Sequence, residues 1–103
     1  MMKKEDLKDK NVVVVGLGRS GIDLVRFLYE NGAKVTATDS KSKYEFGWKL
    51  DPIKKLDVEF ELGRHPSKAF LSADYIVVSP GVPWDLRPIQ EALQAGKNVM
   101  GEF

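Results

Sequence analysis

Gly16, Gly18 and Gly21 stand at the spacing G-x-G-x-x-G in the stretch GLGRSG, directly after four consecutive valines, Val12 to Val15. Asp39 follows at about the 20-residue interval at which such a loop is joined by an acid. Each glycine has a physical reason. Gly16 permits a tight turn out of a strand, and Gly18 lets a diphosphate approach the backbone with no Cβ in its way. Gly21 lets the following helix lie close on the sheet. That helix, beginning near Arg19 and Ser20, turns unpaired N–H groups and the positive end of its dipole toward an anion. The chemistry implied is the binding of a phosphorylated nucleotide. A tight strand–helix turn with no ligand is the plainer alternative.

Asp39 sits where it would accept from a nucleoside, as from the ribose diol of a dinucleotide or from a donor on another nucleoside. Asp39-Ser40 would equally serve as a turn or helix cap. A second segment, Ser79-Pro80-Gly81-Val82-Pro83, falls at the expected end of a fourth strand. If that strand neighbours the first, Gly81 faces the glycine loop across the crevice and leaves room for a flat ring. A rigid proline-bounded turn explains the same composition. His65, the single histidine, has no metal-ligand or catalytic pattern around it and reads as solvated or bonded to its own loop. Tyr44, Phe46 and Trp48 alternate and Trp84 follows a proline. They read as satellite packing or as a face for another domain.

The elements that must position these residues alternate along the chain. Asn11 to Val15 is a β-branched run suited to a strand buried on both faces. Ile22, Val25, Phe27, Leu28 and Tyr29 give the next helix a broad apolar face, which Asn31-Gly32 ends. Lys34 to Thr38 predicts a second strand, finishing at Asp39. Ser40 to Gly47 reads as polar and irregular, Trp48 to Leu56 as a short helix around Pro52, and Val58 to Leu62 as a strand. Gly63 to Pro66 turns, and Ser67 to Ser72 makes one or two helical turns. Ala73 to Ser79 is the next buried strand, Arg87 to Ala95 a helix stopped by Gly96, and Asn98 to Met100 a fifth strand. The alternation predicts an α/β fold, a Rossmann-like doubly wound parallel five-stranded sheet in the order 3-2-1-4-5.

Bulk properties narrow the function classes. The 103 residues are 43% apolar and 30% charged, a balance that suits one folded domain. A net charge of +1 gives no broad electrostatic footprint for nucleic acid or an anionic membrane, so neither is expected as a partner. With no cysteine, a disulfide framework, a thiolate metal site and a cysteine nucleophile are all excluded. A secreted domain this small would usually need such staples, so a cytoplasmic setting is expected. Met1 to Lys10 reads as a solvated, flexible tail, leaving 11–103 as a single nucleotide-binding domain. No G-x-x-x-x-G-K-[ST] loop, magnesium-type carboxylate cluster or nucleophile–base pair appears in the sequence. The chain is expected to bind rather than catalyse, with no cofactor or metal of its own. It stops directly after the fifth strand, which predicts the first domain of something longer.

Taken in order, GLGRSG, Asp39-Ser40, GRHP (Gly63 to Pro66), ADYIVVSPGVP (Ala73 to Pro83) and Gly101-Glu102 resemble one family. They are similar to the N-terminal domain of the MurD-type Mur ligases, which add D-glutamate to UDP-N-acetylmuramoyl-L-alanine. The glycine loop is shared with many dehydrogenases, so the specificity rests on the later segments. The resemblance implies a uridine diphosphate sugar in place of a dinucleotide. It implies that Gly18, Arg19, Ser20 and Gly21 border the diphosphate and uracil. Asp39 would accept from the uracil N–H, with Ser40 beside it and Gly81 close to the ring. Lys41 stands where the family often has an arginine laid on the uracil, and a lysine has no flat face to stack. The resemblance further implies a three-domain parent that uses ATP and Mg²⁺, both bound by the central and C-terminal domains. There the substrate carboxylate is phosphorylated and D-glutamate's amine displaces the phosphate to leave an amide. A dinucleotide-binding regulatory module or a dehydrogenase fragment would use the same loop and acid and stays open on sequence grounds.

Overall fold

The computed structural model describes residues 3–101. Strand β1 (Asn11–Val15) is the centre of a five-stranded parallel sheet, flanked by β2 (Lys34–Asp39) and β4 (Tyr75–Val78). β3 (Glu59–Leu62) and β5 (Asn98–Met100) form the edges, giving the order β3-β2-β1-β4-β5 as expected. The register sets Val13 opposite Thr36 on one side and Ile76 on the other, so β1 is enclosed laterally by both neighbours. Its pleat then divides the core. Val12 and Val14 join one apolar cluster with Leu17, Val25, Leu28 and Ala37. Val13 and Val15 join the other with Phe70, Ile76, Val78 and Ile89. A strand buried on both faces needs apolar residues at every position, which is why the valine run is continuous.

Helix α1 (Arg19–Glu30) covers the first face through Val25 and Leu28. Helices α3 (Ser67–Ser72) and α4 (Arg87–Gln94) cover the second through Phe70 and Ile89. The short helix α2 (Lys43–Phe46) and a 3-10 turn at Gly47–Leu50 return to the first face, pinned by Phe46, Leu50 and Ile53. Right-handed crossovers on both sides of the central strand account for this division.

Three sequence expectations change. Ser40 to Gly47 is not irregular throughout, because α2 lies within it, with Glu45 Oε1 accepting from the Ser42 N–H at 3.2 Å. That contact is one half of a capping box, legible as S-x-x-E at Ser42 to Glu45. The helix expected over Trp48 to Leu56 is a 3-10 turn ending at Leu50, followed by turns around Pro52. Finally, residues 3–10 are not a solvated tail. Lys4–Asp6 forms a 3-10 turn and Leu7 is fully buried in the α1-side core. The Asp9 N–H donates to Gly32 O (2.9 Å) and Lys10 O accepts from the Lys34 N–H (2.8 Å). One apolar residue among charged ones was enough to anchor the segment. Met1 and Met2 lie outside the described residues.

Candidate nucleotide-binding site

The glycine loop leaves β1 at the carboxyl end of the sheet, between the ends of β2 and β4. Both neighbours hold it. Asp39 Oδ2 accepts from the Leu17 N–H (2.8 Å), and the Gly16 N–H donates to Thr38 O (2.8 Å). From the other side, the buried Ser79 hydroxyl donates to Gly16 O at 2.9 Å. The second carboxylate oxygen of Asp39 accepts from the Lys41 N–H at 2.8 Å, closing a local turn. Asp39 is therefore a structural cap as well as a site candidate, and it is half-buried.

The three glycines separate into two kinds. Gly16 has φ +96°, and a Cβ there would lie 2.6 Å from Val82 Cγ2. At Gly21 a Cβ would fall 2.0 Å from the Gly16 carbonyl oxygen, where the backbone itself blocks it. Both glycines are demanded by the fold. Gly18 differs, since its backbone is extended (φ −71°, ψ −174°) and an added Cβ would meet nothing within 4 Å. A Cβ fits there as far as the protein is concerned. The space beside Gly18 is open ground at the helix N-terminus, where no side chain caps the first turn and the first turn holds no acidic residue.

That open ground leads into a cavity of about 580 Å³. Gly18, Arg19, Asp39 and Lys41 line it together with Asp23, Glu45, Phe46, Trp48, Lys49 and Pro52. Leu17 and Ile22 supply an apolar floor. A size of a few hundred cubic ångströms, mostly apolar walls and a few convergent charged groups are the usual marks of a small-molecule site. Ser20 lies on the opposite side of the loop, in a smaller cavity of about 220 Å³ with Leu24, Ser79, Pro80 and Gly101. Gly21 is buried beneath the loop, and Ser40 is exposed and lines neither cavity. Gly81 is exposed at φ +89°, and Val82, rather than Gly81, stands against the glycine turn. The geometry thus joins Gly18, Arg19, Asp39 and Lys41, with Ser20 on the adjoining side, and sets Ser40 and Gly81 apart.

His65 supports the site from below. Its Nδ1 shares a 2.9 Å hydrogen bond with the hydroxyl of Thr38, which is fully buried, and its ring meets Phe70 edge-on at 6.5 Å. Burial lowers its pKa below the ordinary 6.5, while the charge of Asp39 pulls it upward. The expectation of a solvated or loop-bonded His65 changes: it is half-buried and its partner, Thr38, lies on β2. Sequence reasoning missed the contributions of Ser79, Phe46, Trp48 and Lys49. Phe46 is buried whereas Tyr44 and Trp48 are 85% and 76% exposed, so the three alternate between core and surface.

Comparison with known proteins places the chain at the level of family. The model of the Mur ligase MurD-like N-terminal domain matches residues 10–101. The chain belongs to that family. The UDP-N-acetylmuramoylalanine–D-glutamate ligase of Bdellovibrio bacteriovorus is 46% identical over 98 residues, which is 95% of this chain and 21% of the relative. The corresponding ligase of Desulfosudis oleivorans is 48% identical over 102 residues, 99% of this chain and 22% of the relative. This MurD-like domain therefore spans about a fifth of the length of the curated relatives it matches. Among solved structures it is similar to the precorrin-2 dehydrogenase SirC, with TM-score 0.57, 18% identity, and coverage of 91% and 45% of the two chains. Shikimate dehydrogenase from Aquifex aeolicus gives TM-score 0.55 at 15% identity, covering 91% of this chain and 42% of the other. These two likenesses are of fold alone. Among the described residues no helix is long and apolar enough to cross a membrane.

Proposed function

We propose that this domain holds the uridine diphosphate end of UDP-N-acetylmuramoyl-L-alanine for an ATP-dependent ligase that adds D-glutamate in peptidoglycan synthesis. The observation that carries the reading is the open space at Gly18. It is the one glycine of the loop that the fold does not require, and it opens onto a cavity flanked by Asp39. The diphosphate would lie against Gly18 and the first N–H groups of α1, with the Arg19 guanidinium beside it. The Asp39 carboxylate already accepts two backbone N–H groups, yet each oxygen keeps a further lone pair for a uracil N–H. Family membership supports a pyrimidine nucleotide here, and the names of the relatives support the sugar and the amino acid.

The remaining steps of the reaction, including ATP and Mg²⁺ binding, would be the work of the other domains of the parent, in a cytoplasmic setting consistent with a cysteine-free chain. The domain's own part is to bind and orient. Its affinity for UMP is expected to be weak, on the order of 1 mM, because the sugar and peptide ends find no partner here. NMR titration of the 103-residue chain with UMP and with NADH tests this. Saturable shifts of the Leu17, Gly18 and Lys41 amides by UMP are expected. Tighter binding of NADH with shifts around Asp39 would overturn the uridine reading.

A further inference from the structure

One wall of the cavity carries a largely exposed aromatic ring. Trp48 lines the cavity while 76% exposed, so the indole covers almost nothing of the protein. A large apolar ring left in water at a cavity mouth asks for a ligand surface. Its backbone is nevertheless fixed. The 3-10 turn that carries it is fastened on either side by Phe46 and Leu50, 6% and 8% exposed, and Trp48 O accepts from the Asp51 N–H at 2.9 Å. The other exposed aromatics have different surroundings. Tyr44 lies under the Lys43 ammonium at 5.6 Å and lines another groove, and Trp84 stands by Gly101.

Resting on the nucleotide reading above, we infer that Trp48 is the stacking platform for the base. A nucleotide with its phosphates at Gly18 and its base beside Asp39 occupies the same cavity that Trp48 walls. The flanking cations, Lys41 and Lys49, attract the phosphates but have no planar face. Stacking on an indole uses the π-face common to every base, so Trp48 supplies affinity whereas Asp39 supplies the choice of base.

The test uses the two indole N–H signals of the chain, assigned with Trp84→Phe, and titrations of wild type, Trp48→Ala and Trp48→Phe with UMP and with inorganic pyrophosphate. UMP is expected to shift the Trp48 indole signal. Trp48→Ala should lose at least about fivefold in UMP affinity, the lower end of what one base–aromatic stack contributes. Trp48→Phe should recover most of that loss, and pyrophosphate should bind all three proteins equally. Because the side chain is exposed, the variants should keep the wild-type melting temperature. Unchanged UMP affinity in Trp48→Ala overturns the assignment while leaving the uridine site standing. A wild type that binds pyrophosphate but not UMP overturns both.

Discussion

At the scale of single residues, Asp39 carries two duties that one substitution exposes together. Its carboxylate oxygens hold the Leu17 and Lys41 N–H groups, and the same group faces the cavity. Asp39→Ala is therefore expected to cost about 1–3 kcal/mol of stability and to weaken UMP binding about tenfold or more. Denaturant titration and NMR measure the two separately. A variant with wild-type stability would show that the two backbone contacts contribute nothing net. His65 gives a pH signature. Burial lowers its folded pKa, so on acidification the unfolded chain takes up the proton first. Stability is then complete above about pH 6.5 and declines as pH falls from there toward the lowered folded value, below which it levels off. His65→Gln, which keeps a polar partner for Thr38, should flatten that slope below about pH 6.5. Unfolding midpoints across that range check it. The sequence did not disclose the Thr38–His65 bond, since the two residues lie on different elements and meet only once β3 and its turn are placed.

At the scale of elements, the loop separates fold from ligand within six residues. Gly21→Ala drives a methyl into the Gly16 carbonyl and is expected to destabilise by about 1–3 kcal/mol or more. At Gly18 an added Cβ meets no protein atom within 4 Å, so Gly18→Val should change stability by no more than about 1 kcal/mol while abolishing UMP binding. Thermal unfolding and titration of the pair distinguish the two roles, and equal losses of stability in both would refute the distinction. The same contrast explains what sequence could disclose. Continuous β-branched runs and glycines fixed β1, α1 and the turn between them, because steric rules act locally there. Phe46, Trp48 and Lys49 escaped because a helix of four residues and a 3-10 turn carry too little periodicity to reveal which side faces the core. The S-x-x-E pattern at Ser42 was the available clue. The buried Leu7 escaped for the opposite reason, being one apolar residue in a charged setting whose partners lie far along the chain.

At the scale of the whole molecule, the fold was readable in full order because parallel sheets leave few topologies once strands and helices alternate. The glycine loop and its acid were readable only as far as a nucleotide, while the later segments carried the resemblance to the MurD-type family that the match over residues 10–101 bears out. The chain matches about a fifth of each relative, so catalysis is expected to be absent from it. With Mg²⁺, ATP, D-glutamate and the UDP-sugar all present, the purified chain should release no phosphate above background. Phosphoryl transfer needs a phosphate cradle and metal held together, and the sequence has no P-loop to begin one. Phosphate release that persists through purification to homogeneity would reveal an unrecognised site.

The two side chains that fasten the glycine turn are made at different times. Asp39 is synthesised soon after the loop, but Ser79, which clamps it from the far side, comes much later. At ribosomal speeds of about 5–20 residues per second, the interval between them lasts about 2–8 seconds. During that interval a nascent chain can pair β1 with β2 and carry a loop held on one side only. The cavity beside Gly18, lined wholly by residues between Leu17 and Pro52, is thus complete in sequence before the clamp that steadies its loop from the far side arrives.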